Sequence, residues 1–337
     1  MTEPCADQKS IPRVGLIGYG SWATALAGCI ASNGHPLNWW VGRAEVAESL
    51  QKTGRNPRYL SDYELPKDQL NLRTSVQETV AESELLFLCM PSAFLAPLLE
   101  SLPKGALKDK ECVSFVKGLD PETGHTIGEY LTEKLGLPET QFAVVSGPSH
   151  AEEVIQEAVT YLTSASNSTQ LNEKISYFLE SPTLHMLFST HVRAVEFSGV
   201  LKNIYTVGAG LALGLGYRDN FLAVYIGGCL HEMRHFLEEE KGCPADHITD
   251  SVFMGDLLTS AYSPFSRNRH FGFLVGQGKS ISEARTSLPM VAEGYYATRL
   301  MIEKQGYQQP IARMIYDVLY KRLHPEDAFR DIELILR

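Results

Sequence analysis

Residues 13–23 constrain this chain most. An apolar run, residues 13–18 (RVGLIG), ends in Gly18-Tyr-Gly20-Ser-Trp-Ala23 and leads directly into a helical pattern over residues 22–33. Gly18 permits a tight turn, Gly20 lets the backbone approach a pyrophosphate, and Ala23 allows the helix to pack closely on the strand. The start of that helix would offer free N–H groups and its positive dipole end to phosphates. Such a glycine motif is weak alone, but here the strand, the helix and the N-terminal position accompany it. A merely structural glycine turn remains the alternative.

Four further short apolar runs follow, at residues 37–41, 85–90, 113–116 and 142–145, each ended by Gly, Pro, Ser or Lys. Unalternating runs separated by helical segments are the pattern of a parallel sheet covered on both faces. The first half therefore reads as α/β, a doubly wound Rossmann-type domain. After about residue 190 the strand signals fade into long helical patterns at residues 195–213, 220–240, 280–305 and 309–323. With 337 residues the chain exceeds the usual limit of one core. Two domains are expected: residues 1–192 for the dinucleotide, and an all-α unit over residues 193–337 supplying substrate and catalytic groups.

Composition removes several functions. A formal charge of −10 leaves no broad basic surface for nucleic acid, although a local Arg or Lys cluster could still hold a small phosphorylated substrate. The polar opening MTEPCADQKS is not a signal peptide. The longest apolar run, residues 204–217, is too short and too Gly-rich to span a bilayer and reads as a buried helix. Cys5, Cys29, Cys89, Cys112, Cys229 and Cys243 form no C-x-x-C pair, and no His stands at zinc-finger spacing. His231 and His235, with Cys229 and Glu232, complete no familiar metal site. We expect no metal and a reduced, intracellular chain, with Cys29 and Cys89 serving as small buried hydrophobes.

The second strand ends Trp39-Trp40-Val41-Gly42-Arg43, with Arg where a reader of NAD would carry an acid for the ribose 2′-hydroxyl. Arginine pairs with a 2′-phosphate but cannot accept a hydrogen bond. This favours NADP over NAD. The alternative is a solvated Arg43 opening the next loop.

The fingerprint from Gly18 to Ala27 resembles the opening of bacterial NAD(P)-dependent glycerol-3-phosphate dehydrogenases. The resemblance continues in register through Asn56-Pro-Arg-Tyr-Leu60, Met90-Pro-Ser92, Val116-Lys-Gly118 and Ser146-Gly-Pro-Ser-His-Ala-Glu-Glu153. It resumes with Gly199-Val-Leu-Lys-Asn203, Gly255-Asp-Leu257, Ser266-Arg-Asn-Arg269 and Glu293-Gly294. It implies reversible reduction of dihydroxyacetone phosphate to sn-glycerol 3-phosphate for phospholipid synthesis, by a cytoplasmic, often dimeric enzyme. It also implies Lys117, Lys202 and Asp256 as active-site residues, and Lys117, Ser149, Ser260, Arg267 and Asn268 around the substrate. The cofactor-lining set is Gly18, Gly20, Ser21, Trp22, Arg43, Ser92, Lys117, Ala151, Arg267 and Glu293.

These residue types suit the chemistry. A ketone accepts hydride more readily when its oxygen is polarised and protonated as charge develops. Lys202 is the single charge in an otherwise apolar stretch over residues 197–215, where desolvation would lower its pKa, and Asp256 could orient it. Alone, Lys202 reads equally as a snorkelling lysine, Asp256 as a helix cap after Gly255, and Lys117 as a solvated strand end. The Arg267-Asn268-Arg269 turn suits a phosphate monoester, since guanidinium forks match phosphate oxygens; the alternative is a basic surface loop.

Two positions depart from the family pattern. Gly228 stands where relatives commonly carry Arg, and an Asp often found near Leu213 is absent; both put helix packing, and substrate-site detail, in question. Other readings are a two-domain dehydrogenase of hydroxy or sugar acids, which the Ser266–Arg269 turn disfavours, and a nucleotide-sensing protein without catalysis, which the retained lysines disfavour.

Overall fold

The computed structural model describes residues 11–244, 247–288 and 292–336, so Cys5 lies outside the described residues. The first half runs β1 (Val14–Ile17), α1 (Ser21–Ser32), β2 (Leu37–Trp40), α2 (Ala44–Thr53), β3 (Leu70–Arg73), α3 (Val76–Ala81), β4 (Leu85–Leu88) and α4 (Ser92–Glu100). It continues with β5 (Glu111–Ser114), α5 (Ile127–Glu129), β6 (Phe142–Ser146), α6 (Ala151–Val154), β7 (Thr160–Ser166), α7 (Thr169–Leu179) and β8 (Leu184–Ser189). The five apolar runs are the central strands, and β1 and β4 are buried along their whole length.

One eight-stranded sheet has the order β3-β2-β1-β4-β5-β6-β7-β8. All pairings are parallel except β6 with β7, where Val145 lies opposite Ser164. The parallel expectation thus holds from β3 to β6 and fails at the far end. Strands β3, β7 and β8 were not anticipated. Edge strands β3 and β8 are partly exposed, so their apolar runs are broken. Strand β7 buries Ser and Thr whose hydroxyls find partners, Ser164 on Asn172 Oδ1 at 2.7 Å and Ser166 on the Phe142 carbonyl at 2.8 Å. Hydrogen bonding lets a polar sequence enter a sheet interior without an unsatisfied group.

The second half is helical: α8 (Val192–Gly214), α9 (Asp219–His235), α10 (Asp256–Tyr262), α11 (Arg267–Gly276), α12 (Ile281–Thr286), α13 (Glu293–Glu303), α14 (Pro310–Tyr320) and α15 (Pro325–Ile335). The single helix expected over residues 280–305 is instead two, α12 and α13. Helix α15 was also unforeseen.

Helix α8 is buried on every side from Ala194 to Ala212, as befits the central helix of a domain. Its partner α11 crosses at glycine on both helices. A Cβ on Gly210 would stand 2.1 Å from the Arg269 carbonyl oxygen, and one on Gly272 2.0 Å from that of Val207. Backbone therefore meets backbone, which holds the element carrying Arg267 and Asn268 rigidly against the one carrying Lys202 and Asn203. Glu196, buried on α8, accepts hydrogen bonds from Thr126 Oγ1 at 2.9 Å and the Gly128 N–H at 2.8 Å, fastening α8 to α5. One apolar core fills a face of the sheet and runs on into the helices; a second fills the opposite face beneath α1 and α7.

Gly228 faces Leu336 and Ile311, where an added Cβ would approach to 2.5 and 3.0 Å. Leu213 packs against the same core. Both departures therefore concern packing within the helical half. Cys89, Cys112 and Cys229 are buried, while Cys29 is half-buried. Among the described residues, no helix is long and apolar enough to cross a membrane, and no cluster of His, Cys, Asp or Glu could hold a metal ion.

Candidate active site

The turns after β1, β4, β5 and β6 all open at the carboxyl end of the parallel strands, where the strand order reverses between β1 and β4. In doubly wound sheets this crevice is where ligands bind. Gly18 takes φ +128°, and a Cβ there would fall 1.9 Å from the Cys89 carbonyl oxygen, so only glycine fits. Gly20 caps α1 with no side chain on the helix N–H groups, and the space where its Cβ would stand is open. That open, uncapped helix start fits the pyrophosphate of a dinucleotide. Asn56, fully buried, braces the turn by donating to the Tyr19 carbonyl and to Thr24 Oγ1, both at 2.9 Å.

Five other cofactor candidates stand where the chain leaves β1, β2, β4 and β6. Ser21 is buried in the first turn of α1, Trp22 lies against Phe115 with ring centroids 6.4 Å apart, and Ser92 and Ala151 open α4 and α6. Arg43 is exposed at the end of β2; its Nε donates to Tyr19 Oη at 2.9 Å and its guanidinium lies 3.7 Å from Glu45.

Facing the cradle is an ion triad. Asp256, at the start of α10, receives Lys117 Nζ on Oδ2 at 2.6 Å and Lys202 Nζ on Oδ1 at 3.1 Å. Asp256 is 2% exposed and Lys202 9%. Lys202 also donates to Ser260 Oγ at 2.8 Å, and Lys117 to the Gly147 carbonyl at 3.3 Å. Burial lowers the Lys202 ammonium to a pKa of about 8, with Asp256 opposing and Lys117 assisting the shift. Burial would raise the Asp256 carboxyl, but the two ammoniums outweigh it and hold the group below its ordinary value. Lys117 comes from the loop that leaves β5 and Lys202, Asp256 and Ser260 from the helices, so the triad assembles only where the two halves meet.

A chain of amides extends the triad. Asn203 donates to the Lys117 carbonyl at 3.0 Å, Asn268 donates to Asn203 Oδ1 at 2.9 Å, and the Gly294 N–H donates to Asn268 Oδ1 at 2.9 Å. Glu293, at the start of α13, is pushed up by burial, and the Arg267 guanidinium is the strongest of the cations that offset this. Arg267 itself is exposed at the start of α11. Ser149 turns back on the Gly147 carbonyl at 3.1 Å.

The structure thus brings Lys117, Lys202, Asp256 and Ser260 into direct contact and links Asn268 to them through Asn203. The sequence gives no sign of the bracing roles of Asn56, Asn203 and Ser146, whose hydroxyl donates to Asp256 Oδ2 at 3.5 Å. Each stood inside a quoted motif, and a buried amide or hydroxyl gives no signal until its partner, far away in the chain, is known.

A dinucleotide cradle on a Rossmann sheet, with an ion triad that joins Lys117 of the sheet half to Lys202 and Asp256 of the helical half, defines a two-domain nicotinamide-nucleotide dehydrogenase. Residues 13–172 match a family described as NAD-dependent glycerol-3-phosphate dehydrogenase N-terminus, and residues 191–330 match the corresponding C-terminus. The chain is 34% identical to a glycerol-3-phosphate dehydrogenase (NAD(P)+) of Halothermothrix orenii, covering 96% of this chain and 94% of that one. It is 30% identical to a namesake from Chlorobium limicola, covering 95% and 96%. The crystal structure of glycerol-3-phosphate dehydrogenase from Coxiella burnetii superposes with a TM-score of 0.86 at 26% identity, over 95% of this chain and 98% of that one. The chain belongs to the NAD(P)-dependent glycerol-3-phosphate dehydrogenase family.

Proposed function

We propose that this protein reduces dihydroxyacetone phosphate to sn-glycerol 3-phosphate, using NADPH in preference to NADH. The observation that carries this reading is the Lys117–Asp256–Lys202 triad at the carboxyl edge of the cofactor sheet. Residues 1–192 hold the cofactor and residues 193–337 complete the substrate site. Gly18, Gly20, Ser21 and Trp22 receive the pyrophosphate, Arg43 the 2′-phosphate, and Ser92, Ala151 and Glu293 line the remainder. Bound NAD(P)H supplies the hydride.

The protein's part is proton transfer and positioning. The Lys202 ammonium, with a pKa of about 8, polarises the ketone oxygen and gives it a proton as the alkoxide develops. Asp256 keeps both ammoniums in place, and Lys117 adds a second positive charge beside the oxygen. Ser260 holds the Lys202 Nζ, while Ser149, Asn268 and Arg267 orient the substrate, with Arg267 gripping the phosphate. In the reverse direction the neutral amine of Lys202 takes the proton from the hydroxyl. The resemblance to the bacterial family supports the cytoplasmic, homodimeric and phospholipid-supplying parts of the reading.

The test is consumption of NADPH or NADH, side by side, on adding dihydroxyacetone phosphate. Turnover of keto acids without turnover of dihydroxyacetone phosphate would overturn the proposal.

A further inference from the structure

Dihydroxyacetone phosphate has three polar groups, and only two of them have a dedicated protein partner in the proposed site. The ketone oxygen faces the lysines and the phosphate faces Arg267. The hydroxyl of the non-reacting hydroxymethyl group has none.

The segment after β6 lies between those two anchors. The Gly147 carbonyl accepts from Lys117 Nζ at 3.3 Å. Pro148 packs beneath Gly255, next to Asp256 in the chain, where an added Cβ would stand 3.7 Å from its ring. His150 then places its ring against Phe265, with centroids 5.9 Å apart, two residues before Arg267. The chain neighbours of His150, Ser149 and Ala151, are assigned above to substrate and cofactor respectively.

The Nε2 atom of His150 is buried and has no hydrogen-bond partner in the protein. A buried polar atom without a partner costs free energy, and such an atom in a ligand crevice is commonly completed by the ligand. Burial, followed by the Lys202 ammonium, holds the imidazole below its ordinary pKa, so the ring is neutral near pH 7. A neutral imidazole nitrogen can accept a hydroxyl proton or donate to the hydroxyl oxygen, depending on tautomer.

We infer that His150 is a specificity residue for the substrate, its Nε2 pairing with the hydroxyl of the hydroxymethyl group next to the ketone. This inference rests on the proposed reduction of dihydroxyacetone phosphate. The placement spans the molecule: lysines at the ketone, Arg267 at the phosphate and His150 at the remaining polar end. Phe265 packs on the imidazole and limits its freedom to turn away.

The experiment compares kcat/KM for dihydroxyacetone phosphate with that for hydroxyacetone phosphate, the same keto phosphate with a methyl group in place of the hydroxymethyl. A site that hydrogen-bonds a substrate hydroxyl rejects the analogue lacking it. The wild-type enzyme should favour dihydroxyacetone phosphate by about tenfold or more. His150→Phe, which keeps a ring against Phe265, should bring that ratio close to one, and His150→Gln, which offers an amide at similar reach, should restore most of it. A wild-type ratio near one overturns the inference and needs no variant. So does a His150→Phe enzyme that slows both substrates by the same factor. If His150→Phe does not fold, the ratio in His150→Gln compared with the shorter His150→Asn decides, equal ratios counting against the inference. No turnover of dihydroxyacetone phosphate by the wild type would refute the proposed function itself, a result separate from any change of ratio.

Discussion

Replacing Asp256 by Asn tests the electrostatic logic of the site directly. Asp256 is the counter-ion of two ammoniums, at 2.6 Å and 3.1 Å. It raises the Lys202 pKa, whereas burial and Lys117 lower it, and the balance stands at about 8. Without the carboxylate, burial and Lys117 lower the pKa against only the weaker pull of Glu293, so Lys202 loses its proton at lower pH. At an effective dielectric of about 20, two charges ~3 Å apart interact by roughly 5 kcal/mol. Relaxation of the two freed ammoniums and entry of water into the crevice take back much of that. A residue of only ~1.4 kcal/mol already equals about one pH unit. Reduction needs the ammonium, so its kcat/KM is full below the Lys202 pKa and falls above it. The alkaline limb should therefore move from about pH 8 to about pH 7 or below in Asp256→Asn. Oxidation of glycerol 3-phosphate needs the neutral amine, and its rising limb should move by the same amount in the same direction. The assay is the pH profile of kcat/KM in both directions, with thermal melts run in parallel to confirm folding. A folded variant whose limbs stay near pH 8, or move upward, would refute the assignment of the proton to Lys202.

Three further outcomes follow from the structure. Arg43→Ala should raise the KM for NADPH at least several-fold more than that for NADH; equal losses would mean that Arg43 does not meet the 2′-phosphate. Arg267→Ala should reduce the preference for dihydroxyacetone phosphate over dihydroxyacetone by about ten- to a few-hundred-fold, the worth of a charged hydrogen bond, and an unchanged preference would put the phosphate elsewhere. Glu196 is buried, and burial raises its pKa from the ordinary carboxylate value to about 7. The folded protein then keeps a proton that the unfolded chain releases. That contribution is fully present below the unfolded pKa and is lost as pH rises through about 7. Glu196→Gln should flatten the fall of melting temperature between about pH 5 and pH 8 relative to wild type, and parallel profiles would count against a protonated Glu196.

Much of the protein is legible in sequence because its strongest signals are local. Apolar runs without alternation specify buried strands, and five of them mark β1, β2, β4, β5 and β6. The turn from Gly18 to Ala23 carries its own geometry, since Gly18 must adopt a positive φ that other residues resist. The long apolar stretch containing Lys202 shows a helix buried on all sides. What sequence could not show depends on partners far away in the chain. Strand β7 is polar and becomes buried only because Asn172 and the Phe142 carbonyl satisfy its hydroxyls. The antiparallel turn at β7 has no local mark. The close crossing of α8 and α11 looks in sequence like scattered glycines, until Gly210 meets Arg269 and Gly272 meets Val207. The Lys117–Asp256 ion pair is the plainest case. Lys117 and Asp256 are 139 positions apart in the chain, and as single residues they read as a strand end and a helix cap. Only the packing of the helical half onto the carboxyl edge of the sheet brings their charges together, and charge acts through distance in space, which sequence order does not record.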